Sequence, residues 1–239
     1  MNRMYSYLQT QQHLVKVMSK EQMSAIKQPY VRKNLTSTKA KASVSTLLER
    51  LEAYRNVASI RDARQLETAL EHKDCLSCVF LLTGSIGVIK GYVDLFRKHE
   101  IPVFVHVEKI GGLSYDQPGL DYLANAIKPD GIITTKIQVV KKAQKLGLLT
   151  IQRFFLIDSE GLDNIAQSLD QAQPDVIEIM PARIPEVLGK VRAMTELPII
   201  SGGLLTERRH AKECLKYGAT AVSSSSASLW KESFNLTHV

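Results

Sequence analysis

The chain has 239 residues, 44% of them hydrophobic and 23% charged, which is enough to bury one large core and too apolar for an intrinsically disordered protein. It has no apolar run of about 18 residues and no N-terminal apolar stretch ahead of a small-residue cleavage site, which argues against a membrane span and a secretory signal. The net charge of +7 is uneven: residues 1–50 hold nine Lys and Arg against two acids, and the rest of the chain is balanced at 22 of each sign.

Residues 1–54 read as a basic, partly disordered N-terminal extension, rich in Gln, Ser, Lys and Thr and poor in periodicity. Within it Leu47, Leu48, Leu51 and Tyr54 have helical spacing, which predicts a short helix over 45–54 capped by Ser45. From residue 55 the pattern changes to short apolar runs alternating with amphipathic stretches. Strands are expected at 57–61, 78–82, 103–107, 131–135, 149–156, 176–180, 198–201 and 219–223, with helices such as 86–98, 137–145 and 206–217 between them. Apolar strands alternating with helices make a parallel sheet covered by helices. Eight such units favour a compact (β/α)8 TIM-type barrel over 55–239 rather than an open doubly wound sheet. Some helices must then be single turns, because about 200 residues is the usual lower size of this fold.

The three cysteines are Cys75, Cys78 and Cys214. Cys75 and Cys78 have the spacing of a redox or metal site, but no second Cys/His pair accompanies them and they lead into the apolar run Val79–Leu82. Two unpaired thiols at a strand start, and no metal site, are therefore expected. An odd number of cysteines fits a reducing compartment, and a cytoplasmic location is expected.

In a barrel of this kind ligands sit at the C-terminal ends of the strands. The seventh strand runs into Gly202, Gly203 and Leu204, where the lack of a Cβ lets an anion approach backbone N–H groups. The eighth ends in Ser223, Ser224 and Ser225 before a short helix whose free N–H groups favour an anion. Small residues at these two ordinal positions predict a phosphate site. Other polar residues fall at strand ends: Arg61, His106, Glu108, Lys136, Arg153 and Glu178. His106 and Glu108 share one face of their strand. Glu178 lies inside an apolar strand and needs a cation or ligand hydroxyls as partner, with Arg153 a candidate. Arg153 and Glu178 read equally well as a structural ion-pair layer, and His106 as a satisfied core histidine.

These residues also carry a family resemblance. The stretches ASIR (58–61), HVEKIGGL (106–113), PDGIITTK (129–136), IQRFFLIDS (151–159), PDVIEIMP (174–181), IISGGL (199–204) and AVSSS (221–225) resemble the glycerol uptake operon antiterminator regulatory proteins, over about residues 56–231. The 151–159 run is the most specific of them. The resemblance implies a regulator with no catalytic residue and no cofactor. Such a protein binds glycerol 3-phosphate as effector, then the leader mRNA of glycerol catabolic genes, and prevents premature termination. It implies a phosphate held by Gly202, Gly203, Leu204, Ser223, Ser224 and Ser225, and a polyol faced by Arg61, His106, Glu108, Lys136, Arg153 and Glu178. The sequence departs from the family pattern at Glu108, where Asp is usual, at Ala182, where Gly is usual, and at the loop Thr83-Gly84-Ser85.

Two further readings stand beside this one: a barrel enzyme, an isomerase or synthase, acting on a small phosphorylated substrate, and a metabolite-binding protein with a protein partner. A base and an acid converging on one substrate carbon would mark the enzyme. The basic extension, with Tyr5, Tyr7 and Tyr30, offers contacts to RNA phosphates and bases. The bland alternative is a solvated tail, or a start codon set upstream of Met18 or Met23. A homo-oligomer is left open.

Overall fold

The computed structural model describes residues 38–158 and 160–234. Residues 1–37, which hold most of the basic extension and its tyrosines, lie outside the described residues. The first described element is a helix, α1 (Thr38–Tyr54). Eight strands follow: β1 (Asn56–Ile60), β2 (Cys78–Leu81), β3 (Val103–His106), β4 (Gly131–Thr134), β5 (Leu149–Phe155), β6 (Val176–Met180), β7 (Ile199–Gly202) and β8 (Ala221–Ser224). Each pairs in parallel with its neighbour, and β1 pairs with β8 at Asn56↔Val222 and Ala58↔Ser224, closing the barrel. After the strands come α2 (Gln65–Glu71), α3 (Ile89–Lys98), α4 (Gln117–Tyr122), α5 (Ile137–Lys145), α6 (Glu160–Gln171), α7 (Glu186–Met194), α8 (Arg208–Lys216) and α9 (Ala227–Trp230). The TIM-type barrel expected from the alternation is the fold. It fits the short chain because α4 has six residues and α9 only four. No described helix is long and apolar enough to cross a membrane.

Period-two alternation divides each strand between two cores. Outward residues such as Ala58, Ile60, Val79, Leu81, Val103, Val105 and Ile132 pack with helix residues that include Val93, Phe96, Val139 and Ala143. Inward residues Val57, Cys78, Phe80, Phe104, Ile133, Leu149, Ile151, Val176, Ile200 and Ala221 fill the barrel. Phe80 and Phe104 meet there edge to face, with centroids 6.1 Å apart.

The inner core includes four residues of α1: Val44, Leu47, Leu48 and Leu51. The helix therefore plugs the N-terminal end of the barrel, and a domain boundary at 54/55 separates residues that share one core. Arg50 reinforces the plug by donating to the carbonyls of Ser77 and Leu76 at 2.8 and 2.9 Å. The helix begins at Thr38, ahead of the expected Ser45. The polar composition that suggested disorder here is overridden by the apolar face the helix buries.

Toward the C-terminal ends the inward positions turn polar. Ser59 follows Val57, His106 follows Phe104, Arg153 follows Ile151, Glu178 follows Val176 and Ser223 follows Ala221. All five are buried, so the closed apolar floor supports a polar layer beneath the mouth.

Candidate functional site

Three strands contribute a connected chain of buried polar groups. Arg153 on β5 stands opposite Glu178 on β6 in the ladder and donates from Nε to Oε2 at 2.7 Å. The second carboxylate oxygen accepts the Ser223 hydroxyl of β8 at 2.6 Å. Both charged side chains are buried, Glu178 completely. The partner that burial demanded for Glu178 is present, and the pair forms a rigid layer beneath the mouth.

The Glu178–Ser223 bond passes over β7 at Gly202. A Cβ on Gly202 would lie 2.1 Å from Ser223 Oγ and 2.9 Å from Glu178 Oε1. Gly202 thus makes room for a side-chain bond as well as for any anion. Gly202→Ala is expected to destabilise the protein by about 1–3 kcal/mol, the range for an overpacked core. Unchanged thermal and urea midpoints would show that the network yields freely. Gly203 differs: its φ of +78° belongs to the left-handed region. Leu204 follows at φ +57° with 72% of its surface exposed, a conformation costly for an L-residue.

His106 ends β3 on the opposite side of the mouth, and Glu108 lies beyond the strand, in a 3-10 turn over Val107–Lys109, so the two meet across a turn and not along one strand face. His106 Nδ1 lies 2.9 Å from Glu108 Oε2, an ion pair when the imidazole is protonated, and the two buried atoms make no aligned hydrogen bond. The other oxygen of Glu108 accepts from the Thr134 hydroxyl and from the N–H of Thr135 at 3.2 Å. Burial pushes the Glu108 carboxyl up, but the His106 and Thr134 contacts outweigh it and hold the group below its usual value.

The remaining candidates separate. The Ser224 side chain lies behind the barrel wall: its hydroxyl donates to the Leu205 carbonyl at 2.7 Å and accepts from the Ser226 N–H at 3.0 Å. Its carbonyl accepts the indole N–H of Trp230 at 2.8 Å. Lys136 turns to the loop before α4, donating to the Tyr115 hydroxyl at 2.6 Å with its ammonium 4.0 Å from the ring centroid. It is not brought together with Arg153 and Glu178. Arg61 and Ser225 are neighbours, because β1 closes on β8. They line an open depression of about 540 Å³ with Asp62, Arg64 and Gln65. Arg61 pairs with no carboxylate among the described residues and stands at the serine-rich end of the mouth, away from His106 and Glu108.

Sequence reasoning missed Gln65. Its Oε1 accepts from the N–H groups of Arg61 and Asp62 at 2.9 and 3.2 Å, and its Nε2 donates to the Ser225 carbonyl at 3.0 Å. It ties the end of β1 to the end of β8. The signal was available, since an acid followed three residues later by Gln is the pattern of reciprocal capping. Asp62 accepts from Nε and Nη2 of Arg64, and that pairing lowers the Asp62 carboxyl to about 2.

Cys75, Cys78 and Cys214 are free thiols, with Cys78 buried inside the barrel, where burial pushes its thiol up. Among the described residues no group of three His, Cys, Asp or Glu is placed to hold a metal ion.

Comparison with known proteins agrees with this architecture. A family model described as glycerol-3-phosphate responsive antiterminator matches residues 56–230. The uncharacterized protein YgcP of Escherichia coli (strain K12) is 31% identical over 186 residues, which are 77% of this chain and 95% of the relative. The crystal structure of a glycerol uptake operon antiterminator regulatory protein from Listeria monocytogenes is 29% identical, with a TM-score of 0.69, over 74% of this chain and 94% of that one. An antiterminator-related protein from Thermotoga maritima is 26% identical, with a TM-score of 0.66, over 74% and 98%. Deoxyribose phosphate aldolase from Aeropyrum pernix, 12% identical with a TM-score of 0.56 over 80% and 95%, shares the fold alone. The match from β1 to α9 places the chain in the glycerol-3-phosphate responsive antiterminator family.

Proposed function

We propose that the mouth of this barrel takes glycerol 3-phosphate and that the liganded protein acts on the leader mRNA of glycerol catabolic genes to prevent early termination. The phosphate would lie against the backbone of Gly203 and Leu204 and against Ser225, with the Arg61 guanidinium beside it. The hydroxyls would reach His106 and Glu108 over a floor of Arg153 and Glu178. Gly202, Ser223 and Ser224 would support the anion site through the bonds they make within the protein.

The observation that carries this reading is the unaligned His106–Glu108 contact. Nδ1 of His106 and Oε2 of Glu108 are buried polar atoms that face each other at 2.9 Å without an aligned hydrogen bond. One polyol hydroxyl can accept from the first and another donate to the second, which offsets the cost of burying both. As a switch, the ligand must bind one conformation better than another.

Glycerol 3-phosphate at about 100 times its Kd is expected to add about 2.7 kcal/mol of stability, a Tm rise of several degrees in a chain of this size. Glycerol and inorganic phosphate alone should each give less. Equal shifts from phosphate and glycerol 3-phosphate would remove the polyol half of the site. The His106–Glu108 dyad also suits an acid–base enzyme. Turnover of labelled glycerol 3-phosphate would replace the regulator with that enzyme.

A further inference from the structure

The ligand mouth leaves the outer face of α5 unexplained. Val139, Val140 and Ala143 bury the inner side of this helix. By helical spacing Gln138, Lys141, Lys142 and Lys145 then share the outer side. With Lys136 at the N-cap the element carries four lysines and no acid. None of the four is in an ion pair among the described residues. Three other basic side chains on helices are paired: Arg208 with Glu232 at 3.2 Å, Arg209 with Glu207 at 2.7 Å and Lys90 with Asp94 at 2.6 Å. Asp116 is the acid that feels the charge of Lys142, and four lysines against it leave a local concentration of positive potential.

The face adjoins a depression of about 790 Å³ lined by Tyr115, Asp116, Lys136 and Lys142, among others. Tyr115 is 37% exposed, with the Lys136 ammonium over its ring. An exposed aromatic ring beside several cations suits a flexible polyanion with flat bases, the chemistry of single-stranded RNA. An anionic membrane would require exposed apolar side chains on the same face, and Gln138 is the only uncharged residue on it. The surface also begins where the ligand mouth ends. Glu108 accepts from Thr135 N–H, and Lys136 N–H donates to the Thr134 hydroxyl at 3.1 Å.

Resting on the antiterminator reading, we propose that the outer face of α5, with Lys136 and Tyr115 beside it, is the surface on which leader RNA docks through its phosphates. The N–H and hydroxyl contacts from Glu108 to Lys136 place that surface two residues from the ligand's polyol end. Loading the mouth and presenting the lysines therefore involve the same short segment.

The test uses the full chain with glycerol 3-phosphate present and a labelled transcript of the untranslated leader upstream of the organism's glycerol-uptake genes. The triple variant Lys141→Gln, Lys142→Gln, Lys145→Gln is compared with Arg208→Gln, Arg209→Gln. The first should bind RNA on the order of tenfold or more weakly, with a salt slope shallower by about 2, at about 0.7 per phosphate contact. It should keep the thermal shift with glycerol 3-phosphate, which shows that it is folded and liganded. The second should bind as the unaltered protein does. Unaltered protein that binds RNA while the α5 variant matches it in affinity and slope would overturn the docking face and leave the regulatory reading standing. Unaltered protein that binds no RNA would overturn that reading and the docking face with it. Preference for poly-glutamate or anionic vesicles over RNA would assign the face to a different partner and overturn the proposal.

Discussion

Arg153→Ala is expected to destabilise the protein by about 3–5 kcal/mol, the cost of stranding a buried charge. Glu178 has no exposed surface and would keep only the Ser223 hydroxyl as a partner. In a chain of this size that loss lowers Tm on the order of 10 °C. The double variant Arg153→Met, Glu178→Leu should recover much of it, because apolar groups of similar volume need no solvation. Urea denaturation of the single and double variants measures both. Equal losses in the two would mean that the pair stabilises the fold by its own attraction, and a negligible loss in the single variant would mean that water reaches Glu178. The double variant should still fold but bind glycerol 3-phosphate less well, since the floor of the mouth would no longer be polar.

The second large effect is expected at the opposite end of the barrel. Leu51→Ala should cost about 2–5 kcal/mol, the range for truncating a buried leucine. Leu51 is fully buried and packs in the inner core with Val57, Phe80 and Ile151. Its neighbour Glu52 is exposed, and Glu52→Ala should stay within about 0.5 kcal/mol. Leucine-to-alanine loss of the same small size at Leu51 would mean that α1 is a dispensable appendage. The contrast bears on experiments with the basic extension: a truncation that removes most of its charge but keeps the plug must end before Thr38.

The two ends of the barrel divide the work. α1 and the inner apolar layer exclude water from below, and in that dry setting the Arg153–Glu178–Ser223 chain holds one geometry. A preorganised floor lets a small ligand be recognised without paying for reorganisation at the moment of binding. Glu108 sits at the edge of this floor, joined to His106 inside the mouth and to Thr135 on its rim. It links the proposed ligand mouth to the rim that carries Lys136 and Lys142.

Most of the architecture was legible in the sequence. Eight apolar runs alternating with amphipathic stretches specify parallel strands and covering helices, since each strand buries both faces and each helix one. The expectation that Glu178 needs a cation followed from the cost of burying a carboxylate, and Arg153 supplies it at 2.7 Å. The placement of small residues after β7 and β8 likewise followed from strand order.

What the linear chain could not decide was which polar residues face one another and which way each side chain turns. Ser223 and Ser224 look alike in sequence, but alternation sends one hydroxyl to Glu178 and the other behind the wall to Leu205. Arg61 and Ser225 are 164 positions apart and become neighbours only because β1 closes on β8. Lys136 falls at a strand end as Arg153 does, yet its flexible stem reaches Tyr115 on the rim. Local periodicity sets the elements because each residue's burial depends on its near neighbours along the strand or helix. Ring closure, register and rotamer set the site because those depend on contacts between residues far apart in the chain, which only the tertiary fold brings together.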